Sequence, residues 1–393
     1  MTDRAYDIVL FGATGFAGEL TAQYLARYAP PECRWALAGR NRAKLETVRA
    51  KLATIDAALA DLPLLEADSG DAASLRAVAE QTRVLATTVG PYVAHGEPLV
   101  AACAEAGTDY LDLTGEPEFV DRMYLDHHDR AVATGARIVH ACGFDSIPHD
   151  LGAYFTVKQL PEGVPLRVEG FVRSNARFSG GTYHSAINAF ARGRQTMAAG
   201  RERKRREGRP AGRKVHSAPA RVRRDAERGG WVVPLPTIDG PVVRRSAAAL
   251  DRYGPDFTYG HNLLAKHLTS VAALSAGVGA VALLAPLPPT RKLLLKLKAP
   301  GEGPSAAERE RSWFKVTFVG EGGGRRVVTE VSGGDPGYTE TSKMLAESGL
   351  CLAFDELPQT AGQVTTATAM GDALLERLQK AGIAFRVLEP AGA

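Results

Sequence analysis

The chain begins with a short apolar run, residues 6–11 (YDIVLF), that stops at a glycine and passes into a helical spacing with Leu20, Tyr24 and Leu25 on one side. Further apolar runs follow at 34–38, 64–67, 84–89, 110–113 and 137–141, separated by helical patterns over 42–60, 72–81, 97–106 and 117–134. Runs that are apolar at nearly every position belong to strands covered on both faces. Strands alternating with helices form a parallel sheet with right-handed crossovers. Residues 1–150 are therefore predicted to fold as an α/β unit, a doubly wound parallel sheet of Rossmann type with six strands.

The pattern changes after residue 150. Residues 166–173 (LRVEGFVR) alternate along a strand, and 312–320 and 325–332 flank Gly322, Gly323 and Gly324 as a hairpin. Helical spacing recurs at 183–190, with Tyr183 and His184 read as core or surface residues, and at 339–354 and 365–381. This predicts a second α+β domain over 151–355, built on a mixed or antiparallel sheet. The segment 356–393 should close the chain with a helix that packs back on the Rossmann domain. Residues 268–287 (LTSVAALSAGVGAVALLAPL) carry no charge, and RKLLLKLK follows at 291–298. As a helix, the twenty apolar residues would be roughly 30 Å long, but they are rich in Ala, Gly and Ser. The first expectation is a buried or homodimer-interface helix; peripheral docking on a membrane surface is the second.

A length of 393 residues suits two or three domains, and 45% hydrophobic residues exclude a disordered chain. The four cysteines form no CxxC pair and have no histidine at zinc-ligand spacing, so no metal site is expected. No targeting segment is visible at the N-terminus, and the expected location is cytoplasmic, with the inner face of the plasma membrane as an extension. The net charge of +4 hides an asymmetry. Residues 192–228 hold fourteen Lys/Arg and four acids, +10, which leaves −6 for the rest. That stretch contains no Phe, Tyr or Trp on which a base could stack, so nucleic acid is not expected. A solvated basic segment is the first reading, and a surface for an anionic membrane or an acidic carrier protein is the second.

Candidate chemistry lies at the strand ends. After the first strand comes Gly12-Ala13-Thr14-Gly15-Phe16-Ala17-Gly18. Gly12 permits a tight turn, Gly15 lets backbone approach a diphosphate, and Gly18 brings the helix close to the strand; the helix N-terminus then faces the phosphates. The second strand ends Gly39-Arg40-Asn41, with Lys44 beyond and no carboxylate to hold a ribose 2′-hydroxyl. A guanidinium matches a 2′-phosphate, so NADP(H) is expected in preference to NAD(H). Asp68 stands where adenine contacts occur in this fold, and Thr88, Gly90 and Pro91 where the ribose and nicotinamide pass. Tyr92, His95 and Asp145 are the catalytic candidates, with Tyr92 first as proton donor. Asp112, Glu116 and Ser146 are read equally as helix caps or as groups at the crevice. No Ser-His-Asp or Cys-His set can be assembled, which argues against a hydrolase.

These motifs resemble the saccharopine dehydrogenase-like oxidoreductase family. The features that carry the resemblance are GATGFAG at 12–18, AGR at 38–40, VGPY at 89–92, YLDLTGE at 110–116 and GFDSIPHDL at 143–151. The stretches 235–261 (LPTIDGPVVRRSAAALDRYGPDFTYGH), 337–347 (GYTETSKMLAE) and 362–378 are similar to the actinobacterial trans-acting enoyl reductase branch. The resemblance implies a Rossmann domain with a mixed-sheet partner. It also implies an NADPH-dependent reductase acting on a double bond of a lipid-like or polyketide-derived acyl substrate, free or carrier-bound. An amino-acid dehydrogenase working at a C–N bond is the alternative, and a non-catalytic, cofactor-binding lipid-associated protein is a third reading.

Overall fold

The computed structural model describes residues 4–176, 180–208, 210–297 and 303–389. Its first sheet is built from β1 (Tyr6–Phe11), β2 (Trp35–Gly39), β3 (Leu64–Glu66), β4 (Thr82–Thr87), β5 (Asp109–Asp112) and β6 (Arg137–Val139). The strands are parallel and ordered 3-2-1-4-5-6, the doubly wound arrangement that the apolar runs predict. The order in which strands are added to the sheet reverses between β1 and β4, which opens a crevice at their carboxyl ends. A seventh strand, Gly362–Val364, joins β6 in parallel at the edge of the sheet. Sequence pattern missed it because its residues, Gly-Gln-Val, form no apolar run.

The second sheet is mixed. In chain order its strands are β7 (Leu166–Ser174), β8 (Lys214–Ser217), β9 (Arg223–Asp225), β10 (Gly230–Pro234), β11 (Asp256–Ala265), β12 (Phe314–Gly322), β13 (Arg325–Gly333) and, after the seventh strand of the first sheet (β14), β15 (Ala384–Glu389). β11 runs parallel to β7 and β8, and the other pairs are antiparallel. The β12–β13 hairpin turns at Gly323 and Gly324, both with positive φ, as the glycine cluster predicts. Helix Thr339–Phe354, expected in the second domain, packs on the helix Phe16–Tyr28 and on β4 and β5, so it covers the first sheet. Glu340, Ser342 and every residue from Met344 to Ala353 are buried. Helix Gly371–Lys380 buries Leu374, Leu375 and Leu378 against it, after which the chain crosses to the second sheet as β15.

Helix Ile147–Val157 joins the two sheets. It leaves the end of β6 and lies on β12 and β13 of the second sheet. A Cβ on Gly152 would run into the Phe318 ring and come within 2.9 Å of Val331. Asp150, fully buried on this helix, accepts from Ser246 Oγ at 2.5 Å, Thr366 Oγ1 at 2.7 Å and the Ala367 amide at 2.8 Å. One carboxylate thus ties together the first domain's last helix, the helix Asp239–Ala249 and the C-terminal segment.

Two expectations for the second half change. Among the described residues, six basic residues of 192–228 have intramolecular partners. Arg192 grips Glu118 with two bonds of 2.7 Å, and the buried Arg203 bonds Gln363 at 2.5 Å, pairs with Asp121 and Glu207 and lies 4.2 Å over the Tyr124 ring. Arg206 pairs with Asp129, Arg213 binds the Leu250 and Ala248 carbonyls, Arg223 meets Glu169, and Arg228 meets Asp225. The segment is not simply solvated, because helix Pro117–Thr134 presents acids along its path. The apolar segment is not buried either: helix Leu268–Leu284 is exposed along most of its length. Among the described residues, no helix is long and apolar enough to cross a membrane. The side chain of His184 and residue Lys298 lie outside the described residues.

Replacing Asp150 by Ala leaves the Thr366 hydroxyl and the Ala367 amide unpaired in the core, while Ser246 keeps only Thr365 as its partner. The expected loss is about 3 kcal/mol or more of unfolding free energy, read from urea denaturation. A loss below about 1 kcal/mol would show that this carboxylate does not hold the junction.

Candidate active site

The glycine loop has the shape that a dinucleotide requires. Gly12 sits at φ +88°, a left-handed conformation that favours glycine. A Cβ on Gly18 would collide with the Gly12 carbonyl and lie 2.8 Å from Thr88 Oγ1. Helix Phe16–Tyr28 therefore starts in close contact with β1 and β4, and Thr88 Oγ1 donates to the Gly12 carbonyl at 3.1 Å. Thr14 and Gly15 form the exposed tip, while Ala13 is buried beneath it. No side chain caps this helix, so its first amides and positive dipole end are left for a phosphate. Phe16 packs edge-on to Tyr338, with the Arg309 guanidinium over its ring.

At the end of β2, Arg40 is exposed and makes no hydrogen bond or ion pair among the described residues. Lys44 is exposed on the next helix, whose start Asn41 caps by accepting from the Lys44 amide at 3.0 Å. Asn41 thus has a local structural task. Asp68, half-buried after β3, accepts from the Gly70 amide at 2.8 Å and holds that turn. Gly90 is exposed and Pro91 partly so, at the mouth beside β4.

Tyr92 does not point into the crevice mouth. Its ring is buried, its hydroxyl donates to the Thr87 carbonyl at 3.2 Å, and the hydroxyl oxygen accepts from the Leu113 amide at 3.2 Å. Burial, with the charges of Asp112 and Glu116, pushes the phenol well above its usual range. This placement suits a wedge between β4 and β5 rather than the expected proton donor. His95 is exposed at the end of helix Tyr92–His95. Glu116 accepts from the Tyr92 and Val93 amides at 3.2 and 2.8 Å and so caps that helix. Asp112 accepts from the Thr114 and Ala141 amides and lies 2.6 Å from His140 Nδ1, which ties the end of β5 to that of β6. Ser146 stands at the cap position of helix Ile147–Val157, but its buried hydroxyl makes no cap bond.

The chemistry converges where the turn 143–146 meets the second domain. Asp145 makes no hydrogen bond among the described residues, and its Oδ2 would lie 2.9 Å from a Cβ placed on Gly115. Desolvation, reinforced by Asp239, pushes its carboxyl up to about 7. Behind it, His149 Nε2 lies 3.2 Å from Asp239 Oδ1, and His261 Nε2 lies 3.4 Å from Asp239 Oδ2. The two imidazoles meet edge to face at 4.7 Å. Burial holds them neutral, with pKa values lowered to about 3 for His149 and about 4 for His261, and raises that of Asp239. Thr237 Oγ1 donates to Asp239 Oδ2, and the buried Tyr259 hydroxyl and both imidazole Nδ1 atoms have no partner among the described residues. The donor atoms of His149, Asp239 and His261 all lie within 4.8 Å of one another, a spacing open to a divalent cation as well as to shared protons. Arg244, partly buried beside Gly240, makes no hydrogen bond or ion pair among the described residues.

Sequence reasoning assigned no role to His149, Asp239, Arg244 or His261. All four stand inside the motifs at 143–151 and 235–261, but nothing in their spacing shows that separate segments meet.

Residues 8–139 match the family model for the saccharopine dehydrogenase NADP-binding domain. A Mycobacterium tuberculosis protein provisionally named as a trans-acting enoyl reductase is 41% identical over 418 aligned positions, covering 98% of each chain. The trans-acting enoyl reductase of Mycobacterium ulcerans is 36% identical over 414 positions, covering 97% of each. In fold, the chain is similar to the apo, L-Glu-forming saccharopine dehydrogenase of Saccharomyces cerevisiae, with a TM-score of 0.56 at 12% identity, covering 99% of this chain and 100% of that one. A glycine cradle that binds NADP(H), a two-sheet frame and full-length relatives converge on one conclusion: the chain belongs to the saccharopine dehydrogenase-like oxidoreductase family, among the trans-acting enoyl reductases.

Proposed function

We propose that this oxidoreductase reduces the carbon–carbon double bond of an α,β-unsaturated acyl substrate, lipid-like or carrier-bound, with NADPH preferred over NADH. The observation that carries the reading is the position of Asp145. It stands unpaired at the carboxyl edge of β6, on the rim where a nicotinamide extending from the Gly12–Gly18 loop would meet the second domain. The names of the relatives supply the substrate class.

Bound NADPH would supply a hydride to the β-carbon of the acyl chain, and the α-carbon must then take a proton. Asp145 is suited to give it, because a carboxyl group pushed up to about 7 keeps a substantial protonated fraction near neutral pH, where an ordinary carboxylate keeps almost none. His149 and His261, held neutral by burial, stand behind it beside Asp239 and add no positive charge to the site. Arg244 offers a positive group to the acyl oxygen, where negative charge develops. At the other end of the crevice, Arg40, with Lys44 beyond it, would hold the 2′-phosphate. The same free Arg244 supports a second reading, an amino-acid dehydrogenase in which it anchors a substrate carboxylate. Turnover with an amino acid and NADP+, and none with an enoyl thioester, would select that reading.

With an enoyl thioester as substrate, Asp145→Asn should lower kcat by roughly 10²- to 10⁴-fold without changing NADPH affinity. In the parent enzyme the protonated acid is the active form. Rate should therefore be steady below about pH 7 and fall as pH rises through it, and the variant should lose that dependence. An unchanged profile in the variant removes Asp145 from the chemistry.

Fluorescence titration should show NADPH binding at least roughly tenfold tighter than NADH, with Arg40→Ala erasing most of the difference. Equal affinities in the parent would overturn the assignment of Arg40. Dialysis against a chelator should leave turnover unchanged. A loss restored by zinc would instead give the His149–Asp239–His261 cluster a metal.

A further inference from the structure

Helix Leu268–Leu284 and the following helix, Pro288–Lys296, form a surface that the enzyme's chemistry does not use. The first helix has no charged residue and no polar face, since its Ser, Thr, Gly and aliphatic residues are distributed all round. It is held to the body near its ends, where Val271 and Ala285 are buried against the second domain. Between them the described side chains are exposed or partly so, and Leu283 is 77% exposed. The second helix adds Leu293 at 64%, with Leu297 just beyond it at 70%. It is anchored by the Tyr183 hydroxyl, which donates to the Leu294 carbonyl at 3.0 Å.

The charge around this surface has one sign. From residue 257 to 301 the sequence contains no Asp or Glu and five Lys/Arg: Lys266, Arg291, Lys292, Lys296 and Lys298. Lys266 and His267 are exposed just before the apolar helix, and Lys292 and Lys296 are exposed after it. Apolar residues bracketed by cations match a layer with an acyl interior and an anionic rim. A second copy of this chain is a poorer match. It would bring the same cations to the contact, and a flat face would cover one side of a helix that is apolar on all sides. The helix is 17 residues, about 25 Å, against a hydrocarbon core of roughly 30 Å, so it would lie in the interface rather than span it.

We propose that these two helices dock the enzyme on anionic lipid bilayers, with Leu283, Leu287, Leu293 and Leu297 entering the acyl region and Arg291, Lys292 and Lys296 meeting the headgroups. The docking is independent of which reaction the crevice performs.

The test is flotation of the full chain with vesicles of phosphatidylglycerol and phosphatidylcholine, and with phosphatidylcholine alone, at low salt and at 0.15 M. The protein should float with the anionic vesicles, and at least roughly tenfold less should float with the neutral ones. R291E/K292E/K296E and, separately, L283D/L293D should each reduce flotation at least tenfold. Both variants change exposed or partly exposed side chains, so NADPH affinity should stay at the parent's value and show that the fold is intact. Three results would overturn the proposal: no flotation of the parent with anionic vesicles, flotation that both variants retain, or a stable parent dimer by light scattering that L283D/L293D converts to monomer.

Discussion

Helix Ile147–Val157 has almost no solvent on any side. It starts at the edge of one sheet and is pressed on the other closely enough that Gly152 has no room for a methyl group. Every polar group it carries must therefore find a partner inside the protein or remain unpaired. Asp150 finds three donors, and through them the helix Asp239–Ala249 and the segment around Thr366 are fixed to the first domain. His149, one residue earlier, meets Asp239 and His261 across the crevice. The frame and the candidate site thus depend on one constraint, the dry packing of a helix that belongs to both domains.

Burial then sets the chemistry of each group, with opposite results at two positions. Tyr92 is desolvated and fully engaged by Thr87 and Leu113, which makes it a structural wedge. Asp145 is desolvated and left unengaged, which makes it a carboxyl group held near neutrality. The two histidines are kept neutral by the same loss of water. In the proposed reaction the Asp145 carboxyl group would give the proton, beside imidazoles that burial keeps uncharged.

The two unusual segments of the second domain have different fates. The basic stretch of 192–228 is partly neutralised, because helix Pro117–Thr134 supplies Glu118, Asp121 and Asp129 at matching positions. The apolar helix Leu268–Leu284 has no such cover, and water meets most of it. Charge can be satisfied by a few point contacts, whereas an apolar cylinder requires continuous surface on every side.

Local chemistry made much of the fold legible. Continuous apolar runs announced β1 to β6, and the glycine motif located the cofactor turn, because the positive φ of Gly12 and the close approach of Gly18 to it are met within a few residues. Arg40 was legible as the end of β2 for the same reason. The strand Gly362–Val364 (GQV) was not, since it holds no apolar run, and neither was the return of β15 to the second sheet, since its partner strand β13 lies about fifty residues earlier in the chain. The crevice groups were hidden for another reason. His149, Asp239, Arg244 and His261 lie on segments separated by up to about a hundred residues, and only packing brings them together. By itself, then, the sequence determined the nucleotide-binding half and its phosphate cradle, whose physics is local. Which carboxyl group is pushed up toward neutrality, which tyrosine is locked away and which apolar helix remains exposed were decided by tertiary structure, because desolvation belongs to the assembled surroundings of a residue and not to its neighbours along the chain.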